Sequence, residues 1–460
     1  MEIDRGRMTD ILLLLACCSI TALLGSLVGA FAGLVPGLHP NTLATVFSGF
    51  PQAALALSAL AVGFQMSVDS APLLLGCFLI GLLMAHSLTE IIPTAMLGIT
   101  DDETVVSLLP SQRLYSLGRA DLAIESVIIG GLGALLLFAI LLLPTRWLMG
   151  TPIQLYSSVK PFMGLLLSGI SGYVILSQRG RNEISKSITI FFLSGLIGIA
   201  VLTAQLPVLA TNHLAGGIWR VDSSTFLLPA FSGMFALPSL VFSGGPRRNK
   251  TIEMIAGEQI VMSRMKPLLR SIFPSMMVGW LPGITNAYAT SFSMARRRED
   301  THALKSAYSY LITYSATNIG GSLQSILAMG TILRFRNGTL EAIDGHVARE
   351  ALSWSDILDP PTAILAFLWA ACIAMIFGAW VCPILGRRVL SNIESGRFRL
   401  LRPAVILSLL ILAFVVSGPI GLFVLVSCFL VGAWAISIGA PRVHLMGFLL
   451  VPVIIYFLVQ

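Results

Sequence analysis

Long apolar runs separated by short polar stretches dominate the chain. Most of the runs contain close to the roughly 20 residues that an α-helix needs to cross a bilayer. The pattern predicts spans at residues 11–34, 71–88, 126–148, 161–176, 188–206, 224–242, 308–333, 361–385, 404–416, 420–436 and 443–458. The sequence therefore predicts an all-α fold and a polytopic membrane protein.

One short phrase interrupts this apolar pattern twice. Gly33-Leu-Val-Pro36-Gly37-Leu-His39-Pro-Asn41-Thr42 returns 246 residues later as Gly279-Trp-Leu-Pro282-Gly283-Ile-Thr285-Asn286. Proline removes a backbone donor and glycine permits a positive φ, so each phrase predicts a broken helix. Each break could be a simple packing kink. We favour a binding site, because paired breaks at membrane depth mark the sites of many secondary transporters.

A second pair of polar segments lies further along each half. His86-Ser87-Leu-Thr89-Glu90 aligns with Gly321-Ser322-Leu-Gln324, which follows Asn318. Polar side chains in apolar surroundings need partners or water, so the four segments predict one polar pocket. The predicted substrate-binding residues are Gly33, Pro36, Gly37, His39, Asn41, Thr42, His86, Ser87, Thr89, Pro282, Gly283, Thr285, Asn286, Asn318, Ser322 and Gln324.

The chemistry of this pocket suits an anion. Half-helices that begin after each break would point their N-terminal amides and positive dipole ends at a carboxylate or phosphate. Ionisable groups at membrane depth are functional candidates by default, so Asp69 and Glu90 are candidates for binding a coupling proton or sodium ion. Two alternatives stay open: Asp69 could lie in an exposed turn, and Glu90 could cap the segment before Pro93.

The spans predict two repeats of opposite orientation. If each phrase marks a re-entrant hairpin, each half adds about five crossings, and an odd number inverts the second half. The halves would cover residues 1–245 and 271–460, joined on the inner side by an amphipathic linker, residues 246–270. This topology places 21 of the 29 basic residues inside, in agreement with the positive-inside rule.

Composition narrows the function further. Hydrophobic residues make up 56% of the chain and charged residues 11%, with a net charge of +7. In a membrane protein, basic loops report orientation rather than nucleic-acid binding. The six cysteines lie in apolar runs without metal-type spacing, and Walker A and H-E-x-x-H signatures are missing. We therefore expect no enzyme activity, catalytic residue, metal or cofactor, and no nucleic-acid partner.

The residues also resemble a known family, the TctA-like large membrane subunit (permease) of the tripartite tricarboxylate transporters. The resemblance is carried by both Pro-Gly phrases, the Ser87 and Ser322 segments, Gly118-Arg119-Ala120, residues 228–239 and the closing Pro441-Arg-Val-His-Leu-Met-Gly. It implies a multi-pass protein of a prokaryotic plasma membrane. It also implies ion-coupled transport of citrate-like or other carboxylates with a small membrane subunit and an extracytoplasmic binding protein.

This chain departs from the family pattern in both segments of its first half. Family members commonly carry Gly-Gly-Ser where this chain has Ala85-His86-Ser87, and a Gly-Pro type continuation where it has His39-Pro40-Asn41. The chain therefore resembles a divergent, archaeal-type branch. We expect an ion-coupled carrier of a small organic anion that works by alternating access. The alternatives are a flippase for an anionic lipid, such as a polyprenyl phosphate, and a membrane scaffold or intramembrane enzyme.

Overall fold

The computed structural model describes residues 2–35, 37–49, 56, 58, 59, 63, 70–203, 223–242, 263–295, 303–394 and 401–459. All regular secondary structure in these ranges is helical. Eight of the described helical segments are long and apolar enough to cross a membrane. The predicted all-α, multi-pass membrane architecture is confirmed.

The first half of the chain contains eleven α-helices within the described ranges. They are α1 (Glu2–Ala32), α2 (Pro40–Gly49), α3 (Ala71–Thr89), α4 (Ile91–Leu97), α5 (Leu108–Ser116), α6 (Ala120–Met149), α7 (Leu155–Val159), α8 (Met163–Leu176), α9 (Arg181–Leu202), α10 (Leu227–Phe231) and α11 (Leu237–Phe242). A π-helical turn, Ser232–Ala236, joins α10 to α11.

The second half contains eight more α-helices in the part of the chain that the structure describes. They are α12 (Met265–Trp280), α13 (Asn286–Met294), α14 (Ala303–Thr331), α15 (Gly338–Asp344), α16 (Arg349–Leu352), α17 (Thr362–Glu394), α18 (Leu401–Ser437) and α19 (Gly447–Val459).

Helix α18 corresponds to two predicted spans, 404–416 and 420–436. Its 37 residues would extend about 55 Å as a straight helix, well beyond the roughly 30 Å of hydrocarbon. Gly418 interrupts the helix with φ 63° and ψ −161°, and Pro419 follows. The two predicted spans are thus two apolar segments on either side of a sharp kink.

Close helix crossings at glycines hold the first helices of each half together. A Cβ at Gly25 or Gly29 of α1 would collide with the backbone of α3, and one at Gly81 of α3 would collide with the backbone of α1. In the second half, α12 meets α14 closely at Gly279, where a Cβ would collide with Gln324, and at Gly320, where it would collide with the side chain of Ser275. Small residues allow this approach, and van der Waals packing then supplies the association that lipid does not.

The helix contacts repeat between the halves. Helix α1 packs on α3 as α12 packs on α14, and α3 packs on α17 as α14 packs on α6. Helix α9 packs on α19, and the 227–242 segment packs on α18. The two repeats and their opposite orientation in the membrane stay a prediction.

Two large apolar clusters form the interior, and both draw residues from each half of the sequence. The first surrounds α1, α3, α6, α14 and α17, and includes Cys17, Ile80, Phe138, Leu323 and Phe367. The second lies among α8, α9, α13, α18 and α19. The division into residues 1–245, 246–270 and 271–460 therefore stays a prediction about sequence repeats. The amphipathic helix expected near residues 252–262 lies outside the described residues.

Candidate functional site

The two predicted breaks have matching local geometry. Gly37 lies between α1 and α2 with φ 83°, and Gly283 lies between α12 and α13 with φ 76°. Both values fall in the left-handed region that favours glycine, which explains why glycine recurs at these positions. Pro36 lies outside the described residues, and Pro282 is half-buried within the second break.

The residue two positions after each glycine holds the N-terminus of the next helix. Nδ1 of His39 accepts a hydrogen bond from the backbone N–H of Asn41 at 3.2 Å. Oγ1 of Thr285 accepts one from the backbone N–H of Tyr288 at 3.4 Å. The sequence difference between the two phrases is therefore a difference between two capping side chains.

Each break is also fastened to the helix that packs against it. Nε2 of His86 on α3 lies 3.1 Å from the carbonyl oxygen of Leu38. On α14, Oε1 of Gln324 accepts a hydrogen bond from Nε1 of Trp280 at 3.4 Å. The predicted pairing of the broken segments with the second pair of polar segments is thus visible as direct contact in both halves.

Glu90, between α3 and α4, connects the two halves at the centre of the site. Its Oε1 accepts hydrogen bonds from the Tyr314 hydroxyl and from Nδ2 of Asn318, both at 3.0 Å and both from α14. Oδ1 of Asn318 in turn accepts from Nδ2 of Asn286, the first residue of α13, at 2.7 Å. A chain of buried polar groups therefore runs from one half to the start of the helix after the second break.

The loop between α4 and α5 brings further carboxylates to the first break. Oε1 of Glu103 lies 3.5 Å from Nε2 of His39. Asp101 fixes this loop, because its Oδ1 accepts from the backbone N–H groups of Glu103 and Thr104 at 3.2 and 2.8 Å. The loop and the break together form an acidic pocket around one imidazole.

These groups set one another's charge. Burial lowers the pKa of His39, but the carboxylate of Glu103, 3.5 Å away, and the charges of Asp102 and Asp101 outweigh burial and raise that pKa to about 9. Burial raises the pKa of Asp102 to about 7. Burial also acts to raise the pKa of Glu103, yet His39 more than offsets it, and the pKa of Glu103 is lowered.

The two contacts of His39 favour opposite protonation states. Its bond from the Asn41 N–H requires a neutral Nδ1, whereas the carboxylates favour the imidazolium. The carboxylates prevail at neutral pH, because charged partners outweigh one neutral hydrogen bond. Protonation of His39 therefore loosens its hold on the N-terminus of α2.

The connection between α14 and α15 contacts both breaks from another direction. Nε and Nη2 of Arg336 donate to the carbonyl oxygen of Val278, in the last turn of α12, at 3.1 and 3.0 Å. Three residues later, the backbone N–H and Oγ1 of Thr339 donate to Oδ1 of Asn41, both at 3.1 Å. Within the described residues, no carboxylate forms an ion pair with Arg336.

Several buried polar atoms around the two breaks have no hydrogen-bond partner among the described protein groups. Such atoms are rare in protein interiors and call for an explanation. They include His39 Nε2, His86 Nδ1, Glu90 Oε2, Asn286 Oδ1, Thr290 Oγ1 and Thr317 Oγ1. Because several such atoms lie around the two breaks, this region could form hydrogen bonds to a bound ligand.

Some predicted site residues are occupied within their own helices. The hydroxyls of Ser87, Thr89 and Ser322 donate to carbonyls one turn earlier. Thr42 contributes a backbone N–H to the carbonyl of His39. Gly33 packs against the Thr89 side chain, which makes it a close-approach residue. Asp69 lies outside the described residues.

The sequence patterns did not predict three residues of the site, Glu103, Tyr314 and Arg336. A minor feature of the sequence could have indicated each of them. Glu103 closes the acidic run that follows Gly98, and Tyr314 lies four residues before Asn318 on the same helical face. Arg336 belongs to the minority of basic residues that the topology places outside.

Comparison with known proteins identifies the class to which this arrangement belongs. Residues 20–447 match the Tripartite tricarboxylate transporter TctA family. The chain belongs to this family of membrane transport proteins, and it is a multi-pass protein of the cell membrane. Its relatives in this family are transporters rather than enzymes, and they act with the other subunits of a tripartite system.

One relative extends over nearly the whole chain. The "Uncharacterized protein MJ1079" of Methanocaldococcus jannaschii is 25% identical over 444 residues, covering 95% of this chain and 98% of the relative. The predicted resemblance to a divergent, archaeal-type branch agrees with this match. No solved structure matches the chain.

Proposed function

We propose that this protein is a secondary active transporter that carries a small organic anion of the carboxylate type by alternating access. The observation that carries the proposal is the hydrogen-bonded chain from Glu90 through Asn318 to Asn286. It joins a buried carboxylate to the start of a half-helix in the opposite half. A group shared in this way can respond to any movement of one half against the other.

Recognition of the anion rests on the helix that begins after each break and on Arg336. The first amides of α2 and α13 carry partial positive charge that favours an anion. Arg336 adds a full positive charge beside the end of α12, with no carboxylate partner in the described ranges. A carboxylate is the planar acceptor that a guanidinium binds most strongly.

Coupling to an ion follows from the charge of Glu90. An ionised Glu90 would repel an anionic substrate held near the breaks, because like charges in a low-dielectric interior interact strongly. Binding of a proton or a sodium ion at Glu90 removes this repulsion. The substrate anion and the coupling ion therefore bind together more readily than either binds alone, which is the requirement for coupled transport.

We also propose that the protein works with a small membrane subunit and an extracytoplasmic binding protein, as members of this family do. Membership of a tricarboxylate transporter family supports a soluble organic anion as substrate. Neither the family nor a specific contact of the site favours the alternative, an anionic lipid such as a polyprenyl phosphate.

Binding of carboxylates to the purified protein tests this function. We expect citrate or a related di- or tricarboxylate to raise the melting temperature of the wild type. Arg336→Ala should weaken that binding about 10- to 100-fold, since it removes a charge-assisted hydrogen bond. Arg334→Ala is the matched control, because this arginine is exposed and stacks over Tyr156 instead.

Uptake of the same carboxylate into proteoliposomes completes the test. Glu90→Gln should abolish accumulation driven by an ion gradient while leaving carboxylate exchange in place, because glutamine cannot carry the charge change. Full gradient-driven uptake by Glu90→Gln would show that the coupling ion binds elsewhere. Equal binding by Arg336→Ala and Arg334→Ala would show that the anion site lies elsewhere.

A further inference from the structure

The hydrogen bonds of His86 define which of its ring nitrogens carries a proton. Nε2 lies 3.1 Å from the carbonyl oxygen of Leu38. A carbonyl oxygen can only accept, so Nε2 is the donor in this contact. In the neutral ring, Nδ1 is then an acceptor with its lone pair in the ring plane. Nδ1 is buried and has no hydrogen-bond partner among the described groups.

Glu90 presents a second acceptor to that nitrogen. Its Oε1 is occupied by the Tyr314 hydroxyl and the Asn318 amide, both of which donate. Its other oxygen, Oε2, receives no hydrogen bond from the described residues and lies 3.4 Å from Nδ1 of His86. Two buried acceptors face each other across this gap, an arrangement that is unfavourable unless a proton lies between them.

We propose that the coupling ion is a proton and that it is held between Nδ1 of His86 and Oε2 of Glu90. This inference rests on the proposed transport function and identifies the ion that drives it. When one proton binds, the Glu90 carboxyl carries it on Oε2 and donates a hydrogen bond to Nδ1 of His86. The charge of the pair changes from −1 to zero, and release returns one proton to solvent.

The ligands at this position favour a proton over sodium. Hard cations such as sodium prefer several oxygen ligands, and here one of the two facing atoms is a nitrogen. Oε1 already accepts two hydrogen bonds. Among the described residues, no three histidine, cysteine, aspartate or glutamate side chains form a group that could hold a metal ion.

A line of titratable groups leads from the surface to this pair. The side chains of His39 and Glu103 are 18% and 20% exposed, whereas those of His86 and Glu90 are each 4% exposed. The rings of His39 and His86 have centroids 6.1 Å apart, a gap that one water molecule can bridge. A proton therefore passes from Glu103 to His39 and from there to the pair, where Nδ1 of His86 or Oε2 of Glu90 accepts it.

The other titratable groups that face the pair lie on two neighbouring elements. Asp101 and Asp102 belong with Glu103 to the loop between α4 and α5, and Tyr314 belongs to α14. The negative charges of the loop attract protons towards the pair. The Tyr314 hydroxyl donates a hydrogen bond to Oε1 of Glu90 and so fixes the orientation of the carboxyl group.

Infrared spectroscopy after a rapid drop in pH tests this proposal on the full chain in nanodiscs, without substrate. We expect the C=O stretch of a protonated carboxyl to appear in the wild type, to be missing in Glu90→Gln and to shift in His86→Gln. Glutamine at position 86 can retain the donor to Leu38 but lacks the Nδ1 acceptor. Replacing choline chloride by sodium chloride should leave the band unchanged.

The rate at which the band appears tests the access route. In His39→Ala it should be about 100-fold slower than in the wild type, and imidazole in the buffer should restore it, because a diffusing acid and base replaces the side chain. A purely structural role of His39 would not be rescued in this way. His346→Gln, at an exposed position in the loop after α15, is the control.

Three results would overturn the proposal: no Glu90-dependent band, loss of the band when sodium is added, or a wild-type rate in His39→Ala. If His86→Gln does not fold, the band and its sodium response in the wild type and Glu90→Gln still decide the ion. Because no substrate is present, failure here is distinct from failure of transport. If the protein proves to be coupled to sodium, the proton site is wrong and the proposed transport function still holds.

Discussion

The charge of His39 depends on neighbours that are distant in sequence. Its imidazole lies 3.5 Å from the carboxylate of Glu103, and the acidic loop raises its pKa from an ordinary 6.5 to about 9. A raised pKa in the folded state means that folding favours proton binding, so pH and stability are linked at this residue.

We predict that this linkage is measurable with His39→Gln. The stabilisation by His39 is fully present below its ordinary pKa of 6.5 and is lost as the pH rises through about 9. The melting temperature of the wild type should therefore exceed that of His39→Gln by about 3 °C or more near neutral pH, and the difference should vanish in alkaline buffer.

Burial raises the pKa of Asp102 to about 7, and the charge of His39 acts to lower it, so the two proteins are compared from neutral to alkaline pH, above that value. His346→Gln should follow the wild type at every pH. A difference between wild type and His39→Gln that stays constant from neutral to alkaline buffer would mean that Glu103 does not hold the His39 proton.

Single residues of the site could be predicted from the sequence better than their contacts could. His39, His86, Glu90, Asn286 and Asn318 stand out because polar groups in apolar runs need a reason. Which of them meet is a property of the fold, since Glu90 and Asn318 are 228 residues apart in the chain. Tyr314 was not predicted, because a tyrosine in an apolar helix is not unusual, and only its contact with Glu90 shows that it belongs to the site.

At the scale of elements, the close approach of α1 to α3 sets the position of the first break. Gly25, Gly29 and Gly33 follow one another at every fourth position of the chain, and each faces α3. The first two meet backbone atoms, whereas Gly33 meets the Thr89 side chain beside Glu90. The same contact surface therefore continues from helix packing into the site.

We predict that Gly29→Leu separates these helices. A side chain here would collide with backbone atoms of Leu82, which cannot move away as a flexible side chain can. The substitution should destabilise the protein by about 1–3 kcal/mol or more. It should also lower the yield of monodisperse protein and abolish Leu38 contact with His86, seen as a shift of the histidine NMR signal.

Gly169→Leu on α8 is the matched control, since a Cβ at that glycine meets no atom within 4 Å. Equal yield and melting temperature of the two variants would mean that the α1–α3 crossing is looser than its geometry indicates.

Apolar runs bounded by polar residues predicted the positions of helices better than their ends. The predicted span 443–458 corresponds to the Arg442–Val459 segment, whereas the span 361–385 lies at the start of α17, which continues to Glu394. The course of the chain at the kink in α18 did not follow from the sequence. Gly418 and Pro419 mark a break in sequence, but neighbouring packing decides whether the chain turns back or continues.

For the whole molecule, the main finding is that neither half has an interior of its own. The pairs α3–α17 and α6–α14 cross between the halves, and the first apolar cluster contains residues of both. Arg146 on α6 adds a polar link, because its Nη2 donates to the carbonyls of Trp354 and Ser355, both at 2.7 Å. The two halves of the sequence therefore depend on one another in structure.

We predict that the chain divided between residues 245 and 246 gives two fragments that are unstable separately. Each should aggregate or be degraded when expressed alone, because its half of the shared interior is left uncovered. Co-expression should give a monodisperse complex that binds the same carboxylate as the intact chain. A first fragment that is monodisperse by itself would show that the repeats are independent domains.

The burial of most of α14 has a consequence for how the protein enters the membrane. Residues 307–309 and 311–330 of this helix are buried, and it is not among the eight described segments apolar enough to span by composition. Its asparagine, glutamine and hydroxyl groups would meet lipid if it left the translocon before its neighbours. Helices α3 and α6 precede it in the chain, so synthesis in this order delivers the partners first. The order of synthesis thus allows α14 to enter the membrane, whereas the hydrophobicity of the other segments is sufficient for theirs.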